Sequence, residues 1–81
     1  MNYMDIKNKV GLRIKALRAT KNMSQNDLAF YAGIDRSYLA SVESGKRNVS
    51  VVNIEKLATA LEVSVEEFFE DEAFREIKEL K

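Results

Sequence analysis

Eighty-one residues with no proline, no cysteine, no histidine and only three glycines make at most one domain and favour uninterrupted helices. That composition excludes a disulfide framework, a thiolate or imidazole metal site, a cysteine nucleophile and a histidine base. The net charge is zero, yet residues 1–50 carry nine Lys and Arg against four Asp and Glu, a net of +5, while residues 51–81 carry four against nine, a net of −5. One half suits a polyanion and the other would be repelled by it.

In chain order, Ile6, Val10, Ile14 and Leu17 recur at helical spacing among Lys7, Lys9, Arg13, Lys15 and Arg18, which predicts a first helix from about Asp5 to about Lys21. Gly11 lies inside it at a cost of about 1 kcal/mol relative to alanine, and a close approach of a second helix is the expected reason. Ser24 is a good N-cap for a second helix, with Asp27 in its first turn where the helix dipole favours an acid. That helix runs to about Ala32, and Gly33 ends it in the left-handed conformation. Asp35 caps a third helix through Ser44, stopped by Gly45. Lys46-Arg47-Asn48 form a basic loop. Ser50 caps a fourth helix with Ile54, Leu57, Ala58 and Leu61 on one face. Ser64-Val65-Glu66-Glu67 reads as a capping box preceded by Val63 as a hydrophobic staple, opening a fifth helix with Phe68 and Phe69. From Asp71 the spacing of Phe74, Ile77 and Leu80 stays helical, as a continuation of the fifth helix or a sixth.

The second and third helices, separated by about three residues around Gly33, match a helix-turn-helix over residues 25–44. Ala29 is small where the two would cross. Leu28, Ala32, Ile34, Leu39 and Val42 are apolar where one must lock against the other.

The runs Ile14-Lys15-Ala16-Leu17-Arg18, Ser24-Gln25, Leu28-Ala29 and Val42-Glu43-Ser44-Gly45-Lys46-Arg47 resemble the phage-repressor and Cro class of helix-turn-helix domain, the XRE family. The resemblance spans residues 10–70, and Val63-Ser64-Val65-Glu66-Glu67-Phe68-Phe69 looks like that family's fifth helix. Within the class, Asp35-Arg36-Ser37-Tyr38-Leu39 and Arg47-Asn48-Val49-Ser50 are most similar to the controller proteins of restriction–modification systems. The resemblance implies an all-α, compact five-helix lambda-repressor-like DNA-binding domain with a short C-terminal helical extension. It also implies a partly buried ion pair between Arg18 and Glu43, tying the first helix to the third.

A recognition helix enters the major groove with its N-terminal residues towards base edges. Here those are Arg36, Ser37 and Tyr38, with Ser41 one turn on. Arginine pairs bidentately with guanine O6 and N7, at about 1–3 kcal/mol of discrimination; the alternative for Arg36 is a phosphate contact. Tyr38 has several readings: packing on a thymine methyl, touching the backbone, meeting its symmetry mate, or a partly buried core tyrosine. Phosphate contacts are expected from Ser24 and Gln25 at the start of the second helix, and from Lys46, Arg47 and Asn48. Plain solvation near a helix C-terminus would also account for Lys46 and Arg47.

One monomer reads few base pairs, and dimers of this kind bind half-sites about 34–36 Å apart. A chain this short also gains stability from an oligomer. The expected interface is the C-terminal region, about residues 63–81, with Phe68 inside the monomer and Val65, Phe69, Phe74 and Ile77 facing an isologous partner; the alternative is that Phe68 and Leu61 close the monomer core and the tail folds over it. Double-stranded operator DNA and a second copy are thus the expected partners, with RNA polymerase a further candidate. No cofactor, metal or small-molecule ligand is expected. No phosphate loop, metal spacing or nucleophile–base pair points to an enzyme. The N-terminus lacks a signal-peptide run and no stretch approaches a membrane span of about 20 apolar residues, so a cytoplasmic protein with no membrane partner is expected. The competing functions are an antitoxin, whose acidic, phenylalanine-bearing tail would meet a toxin, and a phage-type repressor.

Overall fold

Four helix starts are capped by the residue expected there, Ser24, Asp35, Ser50 and Ser64, and Asp5, expected only as the approximate start of the first helix, caps that one. In the computed structural model, which describes residues 4–77, α1 spans Ile6–Thr20, α2 Gln25–Ala32, α3 Arg36–Glu43, α4 Val51–Ala60 and α5 Val65–Phe68. The side chains of Asp5, Ser24, Asp35, Ser50 and Ser64 accept from first-turn N–H groups at 2.7–3.3 Å. Two of these caps are reciprocal. Glu67 returns a bond to the Ser64 N–H at 3.1 Å. Asp27, expected only as a favourable first-turn charge, does the same for the Ser24 N–H at 3.0 Å.

The C-termini share a device of which the sequence announces only part. Past the ends of α1 to α4, a residue two or three positions on donates to the carbonyl five residues back: Met23 N–H to Arg18 O, Ile34 to Ala29, Lys46 to Ser41 and Val63 to Ala58, all at 3.0–3.1 Å. This geometry requires a left-handed residue at the turn. Gly33 (φ 70°) and Gly45 (φ 79°) supply it as expected, whereas Asn22 (φ 55°) and Glu62 (φ 62°) supply it without glycine.

Among the described residues every regular element is helical. α1 packs on α3, α2 on both α3 and α4, and α4 on α5. The core unites Val10, Ile14 and Leu17 with Leu28, Ala29 and Ala32, Leu39 and Val42, and Leu57, Ala58 and Leu61; Phe68 closes it as a fully buried ring. Each large side chain so removed from water contributes about 1.5–3 kcal/mol. No helix of the described residues is long and apolar enough to cross a membrane.

The tail departs from its helical spacing. α5 stops at Phe68, Asp71 is extended (φ −156°), and only a single 3-10 turn, Glu72–Phe74, follows. Arg13 caps the stop. Its Nε donates to Phe68 O at 2.7 Å, and its Nη2 donates to Glu67 O at 2.8 Å and Glu70 O at 3.3 Å. The carbonyls that a longer helix would use are thereby held by a cation from α1, a favourable position at a helix C-terminus. Asp71 then restarts the chain by accepting from the Ala73 N–H at 2.9 Å. Of the expected tail positions, Ile77 is 92% exposed and Leu80 lies outside the described residues.

Candidate nucleic-acid interface

α3 has two unlike sides, and its buried side sets the position of the other. Gly11 of α1 faces the end of α3 so closely that a Cβ there would stand 2.7 Å from Val42 O and press on the Glu43 carbonyl. The expected close helix approach is therefore backbone against side-chain-free backbone. Beside it Glu43, 3% exposed, is the one buried charged residue among the described residues. It receives Arg18 in a fork, Nε to Oε2 and Nη2 to Oε1, both at 2.8 Å. The third Arg18 nitrogen donates to Met23 O at 2.9 Å. Hydrogen bonding to Glu43 raises the Arg18 pKa; burial lowers it, and the charge of Glu43 raises it further, for a net increase. A cation whose folded-state pKa is raised contributes its full stabilisation below the unfolded-state value and loses it only as pH rises through the folded one. The Arg18 contribution is thus present throughout the neutral range.

Gln25 joins this cluster. Its Nε2, expected at the start of α2 as a phosphate donor, donates to Glu43 Oε1 at 2.9 Å. A buried carboxylate needs its acceptor sites filled, and this takes one side-chain N–H inward. What Gln25 presents at the α2 terminus is its main-chain N–H. Beside it are the Asn26 N–H and the exposed Ser24 hydroxyl, whose oxygen accepts from Asp27. The first N–H groups of a helix have no intrahelical partner.

The open side of α3 begins with Arg36 and Ser37, both exposed at the N-terminus, and continues through half-buried Ser41 to exposed Ser44. Tyr38 is half-buried against the core. Its ring meets the Arg47 guanidinium at 5.5 Å, and its Oη accepts from Asn53 Nδ2 at 3.1 Å. Lys46, Arg47 and Asn48 are exposed in the loop that follows. One face thus brings together the α2 terminus, the start of α3 and the basic loop.

Two features were not legible from local sequence. Asn53 belongs to α4 and reaches Tyr38 only through the fold. Several cations of the basic half are paired away from this face: Lys9 with Glu76 (2.7 Å), Arg13 with Asp71 (3.7 Å) and Lys21 with Glu62 (3.4 Å). The opposite charges of the two halves are therefore not two separate surfaces, because three ion pairs join them. Arg36, Lys46 and Arg47 have no acid partner among the described residues.

The four expected interface residues divide. Val65 and Ile77 are exposed, whereas Phe69 and Phe74 are half-buried on the chain's own core. Phe69 stands edge-on to both Phe68 and Phe74, with ring centres at 4.9 and 5.0 Å. Phe69 also lines a largely apolar pocket of about 160 Å³ with Ile6, Val10, Val42, Val49 and Ile54, to which Lys7, Arg47 and Asn48 also contribute. Exposed Val51 and Val52, absent from the expected interface, start α4 nearby in sequence. Among the described residues no group of three or more acidic side chains converges where a metal ion could be held.

A helix-turn-helix family model matches residues 14–68. Control protein C.MunI from a Mycoplasma species is 44% identical over 68 residues, covering 83% of this chain and 92% of that protein. The crystal structure of the restriction–modification controller protein C.AhdI from Aeromonas hydrophila superposes with a TM-score of 0.75 at 54% identity, covering 78% of this chain and 96% of that one. The controller protein C.Esp1396I, solved as a tetramer in complex with its natural 35-base-pair operator, superposes with a TM-score of 0.77 at 37% identity over 83% of this chain and 88% of its own. The chain belongs to the helix-turn-helix family of DNA-binding transcription regulators and is similar over most of its length to the controller proteins of restriction–modification systems.

Proposed function

We propose that this protein is the controller of a restriction–modification system, which binds a two-fold symmetric operator as a homodimer and sets transcription of the genes beside it. The observation that carries this reading is the exposed start of α3, where Arg36 and Ser37 project unpaired from a helix whose back is fixed to α1. Arg36, Ser37, Tyr38 and Ser41 read base edges in the major groove. Ser24, the Gln25 main chain, Lys46, Arg47 and Asn48 hold phosphates on either side. The whole chain acts as one domain, in the cytoplasm, as a regulator and not an enzyme. Similarity to control proteins favours this reading over an antitoxin or a phage repressor.

Dimerisation is supported by apolar surface in excess of what the monomer covers. Val65 (41% exposed), Val51 (81%) and Ile77 (92%) would be covered by a second copy. Phe74, committed to its own Phe69, serves as backing for that surface.

Selection on random duplex DNA tests the reading. A half-site repeated with two-fold symmetry is expected. Arg36→Ala should lose preference at one base position, a loss worth about 1–3 kcal/mol, whereas Lys46→Ala should weaken all sequences alike and reduce the salt slope by about one. Identical behaviour of the two variants would overturn this division of labour, and a selected site without symmetry would overturn the dimer.

A further inference from the structure

Of the four side chains proposed to read bases, Tyr38 is held from two sides in the free protein. Asn53 stands in the first turn of α4, where its own N–H is fixed by the Ser50 cap at 3.0 Å. From there its Nδ2 donates to Tyr38 Oη at 3.1 Å, and both side chains are half-buried. On the ring lies the Arg47 guanidinium, 5.5 Å from its centre and within cation–π range.

A phenol both donates and accepts, and its hydrogen ordinarily turns to suit whatever partner arrives. An asparagine N–H can only be accepted. With Asn53 donating to the Tyr38 oxygen, the phenol's own hydrogen is left to be given elsewhere. We propose that Asn53 is a specificity-setting positioning residue that fixes the Tyr38 hydroxyl as a donor, so that Tyr38 reads an acceptor on a base edge. Guanine O6 and N7 and thymine O4 are such acceptors in the major groove, whereas the amino groups of cytosine and adenine are donors. Arg47 restrains the same ring from the neighbouring loop. The loop that grips the strand is thereby coupled to the residue that reads the base. The inference rests on α3 being the recognition helix.

The test is selection on randomised half-site duplexes, with affinities for the selected operator. It uses the full chain as wild type, Asn53→Ala, Asn53→Asp, Tyr38→Phe, Arg36→Ala and the Asn53→Ala/Tyr38→Phe double variant. All should fold, because alanine is a good helix former and aspartate is favoured in a first helical turn, while Tyr38→Phe keeps the ring and Arg36 is exposed; thermal unfolding verifies this. Asn53→Ala should weaken operator binding about threefold to tenfold, the range of one net hydrogen bond, and flatten preference at a single position. In the Tyr38→Phe background the same change should cost less than about twofold, because the two residues act as a unit.

Asn53→Asp gives the sharper result. A carboxylate accepts the phenol hydrogen and turns the oxygen's acceptor side outward, so preference at that position should move towards cytosine or adenine. Equal weakening of all sequences by Asn53→Ala, or an undiminished effect in the Tyr38→Phe background, would make Asn53 a backbone contact and overturn the proposal. Unchanged base preference in Asn53→Asp would also overturn it. If Arg36→Ala and Tyr38→Phe both leave preference intact, the recognition-helix reading itself fails. If they alter preference and the Asn53 variants do not, only the role of Asn53 fails.

Discussion

The two sides of α3 are built by opposite rules. Towards α1, everything is closed: Gly11 admits backbone contact, Leu39 and Val42 are buried, and Glu43 is filled by donors from Arg18 and Gln25. Towards solvent, Arg36, Lys46 and Arg47 carry charge with no acid partner among the described residues, while Lys9, Arg13, Arg18 and Lys21 each have one within 4 Å. The difference shows how a chain of zero net charge can still present a cationic face. Acids of the C-terminal half neutralise several of the cations elsewhere, and those around α3 stay available to act on a polyanion. It also separates the consequences of mutation, with stability on one side and recognition on the other.

The largest effect should come from Glu43→Ala. It leaves the Arg18 guanidinium partly buried without its carboxylate and removes the acceptor of Gln25. Breaking such a pair from one end costs about 3–5 kcal/mol, a large share of the roughly 5–15 kcal/mol that holds a domain together. Urea unfolding measures it, and a loss under 1 kcal/mol would show that the closed side is held by apolar packing alone. Gly11→Ala comes next and is informative by its sign. In an ordinary helix interior the change stabilises by about 1 kcal/mol. Here the new methyl group meets backbone carbonyls that cannot turn away, and overpacking of this kind costs about 1–3 kcal/mol. A stabilised Gly11→Ala protein would contradict the close approach of α1 and α3.

Arg13→Ala should have a smaller and local effect. The residue bonds three carbonyls at the end of α5, and charged hydrogen bonds contribute about 1.5–3 kcal/mol each at most; partial replacement by water at this rim reduces the total to about 1–2 kcal/mol. Amide hydrogen exchange should quicken over residues 68–74 before it does in α1 to α4. Uniform protection across the chain would mean that the tail is held by Phe69 and Phe74 without help from Arg13.

Sequence reasoning reached the closed side more fully than the open one, for physical reasons. Caps and apolar spacing are local, so the five helix starts at Asp5, Ser24, Asp35, Ser50 and Ser64 could be read directly. The Arg18–Glu43 pair was accessible through the family resemblance. The left-handed turn at Glu62 carried no signal, because the residue type disfavours the conformation that the bond from Val63 to Ala58 imposes. The tail's 3.6-residue spacing is real, yet α5 ends at Phe68, where Arg13, more than 50 residues earlier, caps its last carbonyls. Asn53 stayed hidden for a similar reason: its contact with Tyr38 joins two helices across a loop.

The smallest stability effect should belong to the open side and closes the comparison. Arg36 is exposed and makes no side-chain bond among the described residues, so Arg36→Ala should change unfolding free energy by no more than about 0.5 kcal/mol, as surface substitutions do. The same protein should lose discrimination at one base position by about 1–3 kcal/mol. Measured together on one preparation, the two numbers test whether recognition is separable from folding. A stability loss above 1 kcal/mol would mean that Arg36 helps hold α3 in place, and a defect in operator binding could then no longer be ascribed to a lost base contact.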